Sequence, residues 1–218
     1  MYDSMVIENV MSNTSMASAG ACPGSRRGRG SVVPEDLSPA RDVPAFEQRG
    51  LYLEEFVAGS VFYHSPGRTV TEADNTMFTT MTMNTQSLHL DAHWSATQPF
   101  GKPLVNSLFT LSALVGLSVG QLTQGTISAN LGFEAVSFPA PVFVGDTLYA
   151  ETVIESVRDS ASRPGQGIVT FLHRMRNQEG AIVALCTRST LMWRSTHAPA
   201  DGRPREVAAD PAFSRGER

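Results

Sequence analysis

The sequence predicts an α+β fold, an antiparallel sheet curled round one long buried helix. Three observations predict it. Residues 104–121 read as a helix, with Leu104, Leu108, Leu111, Val115 and Val119 recurring at spacings of three and four. The other side of that helix is small rather than charged (Ser107, Ala113, Gly116, Ser118, Gly120), so a neighbour is expected to wrap most of it. Four β-rich runs then follow, at 126–136, 147–157, 167–175 and 181–192, each separated from the next by turn residues.

In chain order, residues 1–45 are rich in Ser, Gly, Pro, Ala and Arg and show no sustained period. Such a segment buries too little apolar surface to offset the entropy of ordering it, and is expected to be disordered. The folded domain is expected over residues 46–195, followed by a frayed tail, 196–218, with three prolines and many charges. Leu51 to Phe56 opens the domain, and Val61-Phe62-Tyr63-His64 is a short β-type run closed by Pro66-Gly67. Thr71 with Asp74 three residues later is an acidic variant of a capping box, starting a helix over 72–81. A polar turn at Asn84 follows, Asp91 can cap a short helix through Trp94, and Pro103 opens the main helix. In the run 147–157, Leu148, Ala150, Thr152 and Ile154 alternate with Tyr149, Glu151, Val153 and Glu155, one set for each face. Asn177 to Gly180 reads as a four-residue hairpin loop. No repeat or second-domain linker interrupts the pattern.

Composition excludes several classes. The chain has 218 residues, 41% hydrophobic and 17% charged, with a formal net charge of −4. That balance gives no electrostatic reason to expect nucleic acid, and Arg26, Arg27 and Arg29 sit in a Gly/Ser context suited to a solvated tail. No apolar run approaches the roughly 20 residues that span a bilayer, so no membrane segment is expected. Of the two cysteines, Cys186 lies in an apolar run and should pack as a small hydrophobe, while Cys22 lies in the polar N-terminal segment. A disulfide framework is therefore not expected, and a reducing cytoplasm is.

Chemistry concentrates in residues 83–95, where His89 and His93 flank Asp91 beside the amides of Asn84 and Gln86. An imidazole titrates near neutrality and suits proton transfer. The His89-x-Asp91-x-His93 spacing would align three zinc ligands on an extended strand, but a turn leading into a helix spoils that alignment. No metal is expected. Met77, Met81 and Met83 read as core filling, and His64, His173 and His197 as ordinary surface or strand residues.

Three stretches carry a resemblance: Leu88-His89-Leu90-Asp91 after its polar turn, Pro103 to Phe109, and Phe138-Pro139-Ala140-Pro141-Val142-Phe143-Val144-Gly145-Asp146-Thr147-Leu148. They resemble the MaoC-like dehydratases, the R-specific enoyl-CoA hydratases of the hot-dog fold, over roughly residues 51–194. The resemblance implies a hot-dog sheet round the central helix and a homodimer or higher even oligomer. It also implies acyl-CoA thioester sites near the subunit interface, no cofactor, and reversible addition of water across a trans-2-enoyl thioester. On it, His89 stands at the family's His, whereas Asn84 replaces an Asp and Gln86 an Asn. Asn84 cannot titrate, so its amide is expected to hold the water or the carbonyl while His89 moves the proton. Gln86, Asn106 and Ser107 are expected to bind substrate, the backbone N–H groups of Asn106 and Ser107 serving as oxyanion donors at the helix start. Asp91 is open between an N-cap, a partner for His93 and a catalytic carboxylate. The Asn variant is most like mesaconyl-CoA or itaconyl-CoA hydratases, whose dicarboxylic acyl groups would need a cation such as Arg68 or Lys102. The missing Asp keeps two other readings open on the same fold, an acyl-CoA-binding protein without turnover and a thioesterase.

Overall fold

Residues 47–200 are described in a computed structural model, all within the unit that runs from Val43 to Arg218. The expectations for residues 1–45, including Cys22 and the arginines at 26, 27 and 29, lie outside the described residues, as does 201–218. A 3-10 turn, Leu53–Glu55, is followed by strands β1 (Val61–Tyr63) and β2 (Arg68–Thr69) and helices α1 (Glu72–Met81), α2 (Ser87–Leu90), α3 (Ala92–Ala96) and α4 (Ser107–Leu122). Strands β3 (Ile127–Ser137), β4 (Thr147–Asp159), β5 (Gln166–Arg176) and β6 (Ile182–Trp193) complete the order. The antiparallel sheet runs β1-β4-β5-β6-β3, with β2 pairing further along β4.

The long strands fall within two residues of the runs expected for them, because alternation fixes which face is buried. Leu148, Ala150, Thr152 and Ile154 of β4, Val169, Phe171, His173 and Met175 of β5, and Ala184, Cys186, Arg188, Thr190 and Met192 of β6 are all buried. The buried Cys186 packs in that layer as a small hydrophobe, and burial pushes its thiol pKa up to about 11. Two apolar clusters result. One gathers Val70, Val105, Leu114, Leu148 and Met175, the other Leu53, Phe56, Leu122, Ile154 and Phe171.

Helix α1 starts as the sequence predicts, with Thr71 and Asp74 forming a reciprocal capping box. Helix α4 does not. Pro103 was expected to open it, yet the first helical residue is Ser107 and Asn106 is the N-cap. The N–H groups in between leave the helix direction: Leu104 N donates to Leu88 O (3.0 Å), Val105 N to Val142 O (2.9 Å) and Asn106 N to Asn75 Oδ1 (2.9 Å). Extended backbone satisfies them better than an early turn of helix could. At the other end, Gly50 N and Leu51 N donate to Gln124 O and Leu122 O, partnering carbonyls at and just past the last turn. A Cβ on Gly50 would stand 2.5 Å from Thr123 N, so this approach demands glycine.

The buried face of α4 also differs from the expected Leu/Val stripe. Thr110, Leu114, Ser118 and Leu122 are the buried residues, whereas Leu108 is 54% exposed. A helix apolar on every side gives no contrast from which to pick a face. The hydroxyls bury cheaply here because Thr110 Oγ1 donates to Asn106 O and Ser118 Oγ to Val115 O. The methionine expectation is likewise corrected: Met77, Met81 and Met83 are 61%, 78% and 82% exposed, because α1 turns Asn75 and Thr79 inward instead.

His64 and His173 are not ordinary surface or strand residues. Both are buried, and both bond to the buried Thr152. Gln121 Oε1 can only accept, so His64 Nδ1–H donates to it (2.8 Å), and His64 Nε2 must accept from the Thr152 hydroxyl (2.7 Å). The Thr152 oxygen then accepts from His173 Nδ1–H (2.8 Å). His173 Nε2 and Arg188 Nη1 are buried without a partner among the described residues, while Arg188 Nε donates to Asn130 Oδ1. This polar set crosses the strands between the two apolar clusters. His197 does lie exposed, in a turn over Gly165.

Candidate active site

A cavity of about 360 Å³ opens beside the first turn of α4. Its walls come from the α2 turn (Leu88, His89), the extended link and helix start (Leu104, Val105, Ser107, Thr110), Phe100, the segment from Phe138 to Val142, and Val183. The Pro139-Ala140-Pro141 wall cannot donate from its prolines, and the bond from Val105 N to Val142 O anchors it to the link.

His89 is half-buried on that lining. Its Nδ1 lies 2.9 Å from Leu104 O, an acceptor, so Nδ1 carries a proton. In the neutral ring Nε2 therefore keeps its lone pair, and it is the nitrogen left for chemistry. The turn is braced from behind: His89 N donates to Gln86 O, Asp91 N to Ser87 O, and the buried Ser95 Oγ to Ser87 O.

Not every expected residue reaches this cavity. Ser107 lines it, and its backbone N–H, the first of α4, has no acceptor among the described residues. Asn106 is buried behind it and is not part of the lining. The donor expected from its backbone is taken, because Asn106 N–H already donates to Asn75 Oδ1. Its side chain caps Leu108 N (3.0 Å) and donates to Thr79 Oγ1 (3.3 Å). Asn84 and Gln86 are also absent from the lining; Asn84 N–H donates to Thr79 O, and Asn84 Oδ1 accepts from Gln86 N–H (3.2 Å). Asp91 takes the N-cap alternative, its Oδ1 accepting from Trp94 N–H at 2.8 Å. Of the two cations considered for a substrate carboxylate, Arg68 is already paired with Asp74. Lys102 Nζ lies 4.0 Å from the centroid of the Phe143 ring, which packs edge-on against the cavity residue Phe100 (6.4 Å).

Asn75 went unnoticed in the sequence. It is 3% exposed and bonds to three backbone groups of this region at once. A lone Asn inside a helix carries no signal from which that role could be read.

The MaoC like domain model matches residues 55–174, more than half of the chain, and the chain belongs to that family. The architecture is the hot-dog fold: a Mycobacterium tuberculosis protein with a double hot-dog fold aligns at a TM-score of 0.60 and 24% identity, covering 74% of this chain and 48% of that one. An (R)-specific enoyl-CoA hydratase of Aeromonas caviae is 34% identical over 50% of this chain and 77% of its own length. A mesaconyl-CoA hydratase of Haloarcula marismortui is 26% identical over 71% of this chain. The match spans 43% of that hydratase's length. Among the described residues no helix is long and apolar enough to cross a membrane, and no three His, Cys, Asp or Glu side chains group to hold a metal ion.

Proposed function

We propose that this protein is a hydro-lyase that adds water to an enoyl-CoA thioester, or removes it from the 3-hydroxyacyl-CoA. The observation that carries the reading is His89, an imidazole on a cavity wall with Nδ1 pinned to Leu104 O and Nε2 left over. In the hydration direction Nε2 takes a proton from water as the water oxygen bonds to C3 of the enoyl group. The C2–C3 π pair moves toward the thioester carbonyl, whose oxygen gains negative charge, and the proton now held on Nε2 is then delivered to C2, which returns the ring to its neutral form. The Ser107 N–H, at the positive end of α4, is the donor for that oxygen. Asn84 stands off the cavity lining but is kept as the group that would hold the attacking water, its Nδ2 amide donating to nothing among the described residues. Gln86 is kept as a substrate contact from the same turn.

The acyl group we favour is short, branched and dicarboxylic, as in mesaconyl-CoA or itaconyl-CoA. Support comes from the similarity to a mesaconyl-CoA hydratase and from Lys102, the chain's single lysine, which has no carboxylate partner among the described residues. A homodimer in the cytoplasm completes the reading. Its support is the edge strand β3, which exposes Leu131, Phe133 and Val136 along eleven residues. Light scattering at micromolar concentration tests the oligomer.

The Asn at position 84 favours one competing reading, acyl-CoA binding without turnover. A single assay separates the readings on mesaconyl-, itaconyl- and crotonyl-CoA, following enoyl thioester absorbance and free thiol together. Absorbance loss without thiol is the expected result. Thiol release identifies a thioesterase, and binding with neither signal identifies a carrier.

A further inference from the structure

We infer that Asn75 is the positioning residue of this site, setting both the tautomer of His89 and the seating of the first turn of α4. The inference rests on the reading of His89 as the acid/base group. Asn75 points inward from α1, and both of its amide hydrogens and its oxygen are engaged: Nδ2 donates to His89 O (3.1 Å) and to Leu104 O (3.3 Å), while Oδ1 accepts from Asn106 N (2.9 Å). Each target belongs to a different part of the site. His89 O is the backbone of the turn that carries the imidazole. Leu104 O is the acceptor that holds Nδ1–H of the same imidazole. Asn106 N belongs to the N-cap, one residue before the free Ser107 N–H.

One turn along the same face of α1, Thr79 Oγ1 accepts from Asn106 Nδ2, so two side chains four residues apart hold both the backbone and the side chain of the N-cap. No other side chain repeats this pattern at this length. Aspartate offers acceptors to two carbonyls, leucine leaves His89 O and Asn106 N–H unpaired, and glutamine carries the amide a methylene too far. Without Asn75, Leu104 O is held by the imidazole alone and the ring loses its fixed acceptor. Ser107 N–H shifts with the cap.

The test uses the whole chain labelled with 15N at histidine, the His89 signals being assigned by their loss in His89→Gln. In the parent protein the neutral His89 ring is expected as the Nδ1–H tautomer. In Asn75→Ala both tautomers should appear, and kcat should fall about 100-fold with KM within about threefold, the pattern of misplacement rather than lost binding. Asn75→Asp covers the case in which the alanine variant does not fold. Its activity relative to the parent at the same pH should rise as pH falls, because a protonated carboxyl restores one donor toward the carbonyls. An unchanged Nδ1–H tautomer in either folded variant, or a kcat within about twofold of the parent, overturns the assignment. If the parent hydrates no enoyl thioester, the acid/base reading of His89 fails, while the tautomer readout still decides the place of Asn75.

Discussion

Two settings for histidine bond at opposite ends of α4, His64 to Gln121 in its last turn and His89 to Leu104 just ahead of its first. His64 and His173 are threaded through Thr152 in the middle of the sheet, with every bonded nitrogen facing protein and the leftover one of His173 walled in near Arg188. His89 has one nitrogen pinned and borders open space. Hydrogen bonding is present in both places, on rings buried in the sheet and half-buried at the turn. On the proposed reading, what separates a proton-transfer group from a structural one is whether the spare nitrogen meets a cavity.

The sharpest way to break this comparison is to exchange the outcomes. His89→Gln keeps a polar group but cannot transfer protons, and should lower the hydration rate about a thousandfold, within the usual range for acid/base groups. His173→Asn should leave it within about twofold, since neither His173 nor its partners Thr152 and His64 reach the cavity wall. Steady-state rates on crotonyl- and mesaconyl-CoA decide. Next in size is Ser107→Pro. Position 107 is the first helical residue, where proline costs least, and Asn106 already has the extended conformation (φ −58°, ψ 123°) that a following proline requires. The substitution deletes the proposed oxyanion donor, and kcat should drop about 100-fold while Ser107→Ala stays near the parent.

The third prediction concerns the closed setting. Burial, then the charge of Arg188 and then His64, pull the His173 pKa down from 6.5 to about 3. Between those values the unfolded chain binds a proton that the folded one refuses, so stability is complete above pH 6.5 and is lost as pH falls toward about 3. The loss is at most about 1.4 kcal/mol per pH unit. Urea midpoints should track that limb, and His173→Asn, which keeps a donor for Thr152 and cannot titrate, should flatten it. The smallest effect is expected from Thr71→Ala, which removes the cap of α1 and should cost about 1 kcal/mol in urea unfolding. The His89 tautomer should not move.

Fold and site were unequally legible. Alternation placed β3 to β6, and the Thr71/Asp74 pair placed α1, because both are signals local in the chain. The start of α4 was misplaced since the groups that satisfy Leu104, Val105 and Asn106 lie on Leu88, Val142 and Asn75, far off in sequence. The same holds for the site. His89 and Ser107 were nameable from a motif, whereas Asn75 and the His64–Thr152–His173 thread exist only once distant elements are brought together. A stripe of leucines also misled, because a helix apolar all round is oriented by the sheet it meets and not by its own periodicity.

The cap formed by Gly50 and Leu51 has a practical consequence for shortening the protein. Helix α4 has sixteen residues, about 24 Å at 1.5 Å per residue, with the cavity at one end and this clasp at the other. A chain begun at residue 47 retains the clasp, whereas one begun at residue 53 loses it and should fray the last turn first, visible as faster amide exchange at Val119 to Leu122.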